Sequence, residues 1–310
     1  MASFLGIDTS NYTTSAAVYD DESFEIVQSK LLLPVKSGDL GIRQSDAVFH
    51  HTKQLPMVLG ELSGNIQNLC AIGVSVRPRN AQGSYMPCFL LGESVSDCMA
   101  AVNNVPVFKT SHQTGHILAA LYSCDKLDFV KQSFIAFHVS GGTTDCLLVE
   151  PDETDIIKIT QLSSSLDLKA GQAVDRVGVM LGLSFPCGKE LEALALKSEK
   201  VFRVKPVIRG VDCSLSGIEN KCAKMLSDGE KPEDIARYCL EFICSSIDNM
   251  TKFVLDKFGK LPIVYAGGVM SNLIIRNKLI KKYGGYFATP EFSCDNAAGL
   301  AIFAALKVNK

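Results

Sequence analysis

The sequence contains no Cys-x-x-Cys pair, and its eleven cysteines are odd in number and scattered. That argues against a disulfide framework and against a thiolate zinc site; free thiols fit a reducing cytoplasm. No apolar stretch reaches the length of a bilayer span, because charged or polar residues interrupt each candidate. The opening residues, Ala2-Ser3-Phe4-Leu5-Gly6-Ile7-Asp8, lack the basic start and long apolar run of a signal peptide. Low-complexity segments and long tethers are missing too. The expectation is a cytoplasmic protein without membrane association. Excess positive charge is also lacking. Lys and Arg number 31 against 33 Asp and Glu, a net charge of -2. Nothing global therefore advertises nucleic-acid binding, and any such binding must use a local patch or a partner's charge.

What is present is an ordinary globular composition, 47% apolar and 21% charged. A chain of 310 residues fits two lobes with cores of their own. Three short strands are expected at 4–8, 14–19 and 25–33. A helix follows at 44–62, then a strand at 71–76, a helix at 89–102, a strand at 105–108 and a helix at 112–122. The pattern then restarts with strands at 133–139, 146–150 and 156–161. A stretch richer in helical pattern, 168–228, looks like an insertion. A helix at 232–258, strands at 262–266 and 286–287 and a helix at 295–306 close the chain. Strand, Gly/Ser/Thr turn, strand, turn, strand occurs twice, which suggests internal duplication of one module. The expected division is 1–130 and 131–310.

Two kinds of residue pattern carry chemistry. His112 and His116 are four apart on an expected helix, so both imidazoles share one face and can reach one ion. Imidazole suits zinc or iron. The same spacing also fits a pair of polar helix residues. The second kind is glycine turns that follow strands. Ser140-Gly141-Gly142-Thr143-Thr144 lies between two strands, and Gly267-Gly268-Val269 opens a helix. Such turns can aim N–H groups at a phosphate. Thr9-Ser10 with Thr13-Thr14 forms a third polar turn. Taken singly, each also fits a plain connection; together they point to a nucleotide site.

These residues carry a resemblance that runs nearly end to end. Gly6-Ile7-Asp8-Thr9-Ser10, Arg43-Gln44-Ser45-Asp46 through His50, His112/His116 and Val139-Ser140-Gly141-Gly142 are blocks of it. So are Gly171-Gln172-Ala173-Val174-Asp175, Ser214-Leu215-Ser216-Gly217, Ala266-Gly267-Gly268-Val269-Met270-Ser271-Asn272 and Asp295-Asn296-Ala297-Ala298. The chain resembles the TsaD family, formerly the O-sialoglycoprotein endopeptidase or Gcp family. That resemblance implies the α/β fold of the actin-like (ASKHA) ATPases, with two RNase H-like lobes and a nucleotide cleft between them. It implies transfer of a threonylcarbamoyl group from threonylcarbamoyl-AMP to N6 of adenine 37 of tRNA. It implies one divalent ion, iron or zinc, on His112, His116 and Asp295. His138 stands where the family has a ligating tyrosine, giving three His and one Asp. Ser140, Gly141, Gly142, Asp175, Gly188, Glu192, Gly268 and Asn272 are the implied nucleotide-binding positions, for ATP, AMP or threonylcarbamoyl-AMP. Implied partners are tRNA and the noncatalytic subunits of the same machinery.

Several departures from the family cluster at the implied site. They are Asn11-Tyr12-Thr13 after the first turn, the loop Arg77-Pro78-Arg79-Asn80-Ala81-Gln82-Gly83-Ser84, Gln172 and Val174 before Asp175, and Thr143-Thr144-Asp145 after the glycines. They suggest a divergent paralogue. Two alternatives stay open: a carbamoyltransferase acting on another acceptor, and an ATP-binding assembly or regulatory subunit with little transferase activity. A protease is not supported, since His112-Gln113-Thr114-Gly115-His116 lacks the glutamate of a zincin. The sequence marks no general base. Arg77, Arg79, Lys197, Lys200, Arg203, Lys205 and Arg209 are the local candidates for RNA phosphates, and they also fit ordinary solvated charge.

Overall fold

The structure, a computed structural model, describes residues 2–10, 12–34 and 42–310. Asn11, one member of the altered first turn, lies outside the described residues. The strands are β1 (Ser3–Asp8), β2 (Thr13–Asp20), β3 (Ile26–Leu32), β4 (Leu69–Arg77), β5 (Val107–Ser111), β6 (Phe134–Val139), β7 (Thr144–Asp152), β8 (Ile156–Ser164), β9 (Val207–Arg209), β10 (Asp212–Ser214), β11 (Ile263–Ala266) and β12 (Tyr286–Phe287). The helices are α1 (Gln44–Leu62), α2 (Phe89–Asn103), α3 (His112–Ser123), α4 (Ala170–Met180), α5 (Gly188–Ala195), α6 (Gly217–Ser227), α7 (Pro232–Phe258), α8 (Leu273–Tyr283) and α9 (Ala298–Val308).

The chain divides into two compact units. The first holds Met1–Val130, Pro151–Lys158 and Asp295–Lys310, and the second Lys131–Glu150 and Ile159–Cys294. The boundary expected at 130/131 misses the return of 295–310 to the first unit, where α9 packs on β1, β4 and α3. The helix expected from 295 begins at Ala298. Asn296 Oδ1 accepts the Ala298 N–H at 3.0 Å, so Asp295 is left in the bend ahead of it. The strand expected at 105–108 runs instead over Val107–Ser111. The expected helical insertion also contains the β9–β10 ribbon.

The first unit's sheet has the order β3-β2-β1-β4-β5. β1 pairs antiparallel with β2 and parallel with β4. Strand side chains alternate between faces. Leu5, Ile7, Ile72 and Val74 point to a core completed by Leu55, Val58 and Leu62 of α1 and Ala100 of α2. The buried residues of α1, Ala47, His51, Leu55, Val58 and Leu62, recur at helical spacing and form one stripe. Gly6 and Gly73 point to the other face, where α9 lies. A Cβ on Gly6 would sit 2.2 Å from the Ala297 carbonyl oxygen, and one on Gly73 would sit 2.0 Å from that of Leu300. Only glycine permits that approach.

The second unit repeats the plan with the order β12-β11-β6-β7-β8. β6 pairs antiparallel with β7 and parallel with β11. Its core joins Ile135, Phe137 and Val139 to Ile263 and Tyr265, with Val177 of α4 and the long stripe of α7. Phe137, Tyr265 and Phe287 stack, with ring centroids 5.4 and 4.4 Å apart. Burying each such aromatic contributes roughly 3 kcal/mol, judged by the cost of deletion to alanine. α7 opens with Pro232 and the acids Glu233 and Asp234. It stops at Gly259, whose φ of 77° an L side chain rarely adopts.

Candidate metal centre and nucleotide-binding turns

α3 presents the metal-site candidates of the first unit. Ser111 caps it, its hydroxyl accepting the Thr114 N–H at 3.2 Å. His112 and His116 then fall on one face, rings 4.3 Å apart. Between them Gly115 meets Gly299 of α9, where a Cβ would lie 1.8 Å from the Gly115 carbonyl oxygen. This glycine-on-glycine crossing brings the bend before α9 to α3, and with it Asp295. The His112 and His116 Nε2 atoms are 2.8 Å apart. Asp295 Oδ1 is 3.2 Å from His116 Nε2 and 3.5 Å from His112 Nε2. Ligand atoms bonded to one zinc or iron ion stand about 3.0–3.5 Å apart. Two imidazoles and a carboxylate at these separations fit such an ion. Two ring nitrogens facing each other at 2.8 Å need a hydrogen or an ion between them.

The charges fit as well. Burial works against a cationic His112, but the Asp8 and Asp295 carboxylates outweigh it and raise its pKa to about 10. Burial and the neighbouring His112 charge lower His116. Burial would raise Asp295, yet the two imidazoles hold it well below the usual carboxylate range. The cluster thus holds a positive charge where an ion would replace it. His138 is buried on β6, in the second unit. Its role as a further ligand remains an expectation from the resemblance.

One contributor was not singled out in the sequence. Asp8 ends β1 on the same face as Gly6, and Ser75 stands on that face of the parallel neighbour β4. Ser75 Oγ donates to Asp8 Oδ1 at 2.5 Å, and Asp8 Oδ2 is 2.9 Å from His112 Nδ1. Strand parity was the available signal: Asp8 and Ser75 each follow, by two residues, a glycine that faces α9. The described hydroxyls of the first polar turn bond within the fold. Thr9 Oγ1 donates to the Cys88 carbonyl and accepts the Gly92 N–H, Ser10 donates to Asp8, and Thr14 contacts His51 and Gln54. The altered loop anchors α3, for Pro78 O accepts the Gln113 N–H at 3.0 Å.

The implied nucleotide-binding residues all lie in the second unit, and a chain of contacts links them. The Ser140 carbonyl accepts the Gly171 N–H at 3.0 Å, and a Cβ on Gly171 would lie 2.6 Å from Gly141 N. The start of α4 therefore rests on the turn. Ser140 Oγ accepts from Gly142 N and Thr143 N, while Gly141 and Gly142 face open space. Gly267, at φ 97°, lies against the end of β6, where a Cβ would be 2.2 Å from Val139 O. Gly268 and the rest of the short 3-10 turn Gly268–Ser271 lead to Asn272, which caps α8 by accepting from Ile274 N and Ile275 N. Glu192 on α5 accepts the Leu273 N–H at 2.5 Å. At the other end of α5, before Gly188, Cys187 donates its N–H to Asp175 Oδ1 at 2.9 Å. Burial raises the Asp175 pKa against that hydrogen bond. Gln172 keeps a capping role for α4, its Oε1 accepting the Lys169 N–H at 3.2 Å.

Among solved structures, the chain is similar to component A of the Acidaminococcus fermentans (R)-2-hydroxyglutaryl-CoA dehydratase. The TM-score is 0.58 at 16% identity, over 100% of both chains. It is similar to HypF of T. kodakarensis, with TM-score 0.64 and 12% identity over 99% of this chain and 47% of that one. It is also similar to the activator of the Clostridium difficile 2-hydroxyisocaproyl-CoA dehydratase, solved with bound ADPNP. There the TM-score is 0.54 at 12% identity, over 99% and 96% of the chains. These likenesses give the fold, that of the actin-like ATPases. The family model described as tRNA N6-adenosine threonylcarbamoyltransferase, TsaD, matches residues 26–302. That match takes in α3 and its histidine pair, the glycine turns and Asp295, and on its extent the chain belongs to the TsaD family.

Proposed function

We propose that this chain is a metal-dependent transferase that moves a threonylcarbamoyl group from threonylcarbamoyl-AMP to N6 of an adenosine in tRNA. The observation that carries the reading is the convergence of His112, His116 and Asp295 in a chain of this family. A noncatalytic subunit has no need to keep three ligand atoms 2.8–3.5 Å apart.

An iron or zinc ion on these residues would supply Lewis-acid polarisation of a phosphate or carbamoyl oxygen. The chain's own residues do the rest. In the second unit, Asp175 would take a ribose hydroxyl, with Glu192 and Asn272 holding the rest of the nucleoside. The N–H groups of Gly142 and Thr143, which donate to Ser140 Oγ, would turn to a phosphate oxygen. The acceptor amine attacks the carbamoyl carbon, the carbon–oxygen bond to the phosphate breaks, and adenylate leaves while the amine gives up a proton. tRNA and partner subunits of the t6A machinery complete the assembly, since a chain of net charge -2 draws little on RNA by itself.

A second reading, carbamoyl transfer to a different acceptor, is favoured by one observation. The altered loop 77–84 is bonded through Pro78 to the first turn of α3, next to His112. Mass spectrometry of tRNA nucleosides separates the two. A strain depleted of its main transferase and supplied with this chain should regain the threonylcarbamoyl nucleoside. It should not regain it with the His112→Ala, His116→Ala double variant. No recovery with the unaltered chain, alongside intact turnover of threonylcarbamoyl-AMP, favours the other acceptor.

A further inference from the structure

Asp8 is fully buried. An ionised carboxylate in such a place needs every oxygen satisfied. Here Oδ1 takes the Ser75 hydroxyl at 2.5 Å, and Oδ2 takes the Ser10 hydroxyl at 2.8 Å and His112 Nδ1 at 2.9 Å. A carboxylate only accepts, so the hydrogen in the last contact is on Nδ1. A neutral imidazole with its hydrogen on Nδ1 has its lone pair on Nε2. That nitrogen is the one 2.8 Å from His116 Nε2 and 3.5 Å from Asp295 Oδ1.

We infer that Asp8 is a positioning residue of the metal centre, which fixes His112 in the Nδ1–H tautomer and aims Nε2 at the ion. The inference rests on the reading of His112, His116 and Asp295 as the ion's ligands. Two features favour it over a purely structural tether. The first is charge. With both imidazoles neutral, Asp295 offsets half the charge of a divalent ion, and Asp8 offsets the other half from just behind the ligand. The second is rigidity. Ser10 and Ser75 come from the turn after β1 and from β4, so both oxygens are held from two directions and the imidazole has one way to face. A ligating histidine with a fixed second nitrogen is a stronger and better aimed ligand.

Asp8→Asn tests this directly. Asparagine keeps the size and can still satisfy both serines, whose hydroxyls rotate. It removes the charge, however, and can turn its amide toward Nδ1, which then must accept and leaves the hydrogen on Nε2. Zinc affinity of the full chain, measured by competition with a chelator, should fall about 10- to 100-fold. Near-ultraviolet circular dichroism should stay unchanged. Affinity within twofold of the unaltered chain, in a folded variant, overturns the inference. A second readout does not depend on the variant folding. In the zinc-loaded unaltered protein, histidine nitrogen-15 spectra should place the His112 hydrogen on Nδ1 and the zinc on Nε2. The reverse assignment overturns the inference as well. If the unaltered chain binds no zinc, or the His112→Ala, His116→Ala variant binds it equally well, the metal-centre reading itself fails and the inference falls with it. That outcome is distinct from a metal-binding chain indifferent to Asp8.

Discussion

The two units build the same strand and end it differently. Asp8 of β1 lies opposite Ser15 of β2, and His138 of β6 lies opposite Asp145 of β7, so Asp8 and His138 hold corresponding places in the duplicated module. Each is a buried polar side chain at the end of a central strand. Beyond it the first unit turns its hydroxyls inward, Thr9 to the start of α2 and Ser10 to Asp8. The second unit leaves Gly141 and Gly142 facing open space, with the start of α4 underneath. One module thus yields a packed support for ligand side chains and an open backbone turn. The shared strand plan sets the position of the polar strand end, and the residues after it decide the use.

The packed side should be the less tolerant one. Gly299→Ala places a methyl group 1.8 Å from the Gly115 carbonyl oxygen, and the two helices cannot separate without moving Asp295 from the histidines. We expect a loss of about 3 kcal/mol or more in urea unfolding. Gly142→Ala meets no atom within 4 Å. It should cost less than about 1 kcal/mol. Equal losses would erase the contrast.

The His112→Ala, His116→Ala variant should lose metal affinity by roughly 100-fold or more. Nucleotide affinity, measured by calorimetry, should change far less, because its proposed residues lie in the second unit. Parallel loss of both would show that the two functions are not divided in this way.

Proton linkage distinguishes the units further. A raised His112 pKa stabilises the metal-free fold below the ordinary histidine range, and that contribution fades as pH climbs through about 10. An ion must displace the same proton. Zinc affinity should therefore rise with pH between about 6 and 8, by up to about tenfold per pH unit for each proton released. Calorimetry in buffers of different ionisation heat counts those protons. In the second unit the sign for stability is the same, but the window begins lower, at the carboxylate range rather than the histidine range. A raised Asp175 pKa adds stability below the ordinary carboxylate range and becomes a cost as pH rises through the shifted value. Asp175→Asn should raise the melting temperature by about 1–2 °C at pH 8 and not at pH 3, while weakening nucleotide binding. A variant less stable at pH 8 would contradict the burial argument.

Much of this was legible in the sequence, for stated reasons. α1 runs over Gln44–Leu62 because its apolar stripe is regular, and the His112/His116 pair shares a face because four residues make one turn. The repeated strand and turn pattern foreshadowed two sheets of one topology. The return of 295–310 to the first unit was not legible, because long-range packing sets it through Gly6, Gly73, Gly115 and Gly299. Each of these looks like any other glycine until its neighbour is known. The inward commitment of Thr9 and Ser10 was equally hidden, since a polar turn reads alike whether it faces a ligand or the Cys88 carbonyl.

The central claim is that an ion sits on α3 and the bend before α9. Anomalous diffraction from crystals of the zinc- or iron-loaded protein tests it most directly. The account predicts one peak about 2.0–2.2 Å from His112 Nε2, His116 Nε2 and an Asp295 oxygen. A peak bonded to other residues, with none at these three atoms, would contradict it.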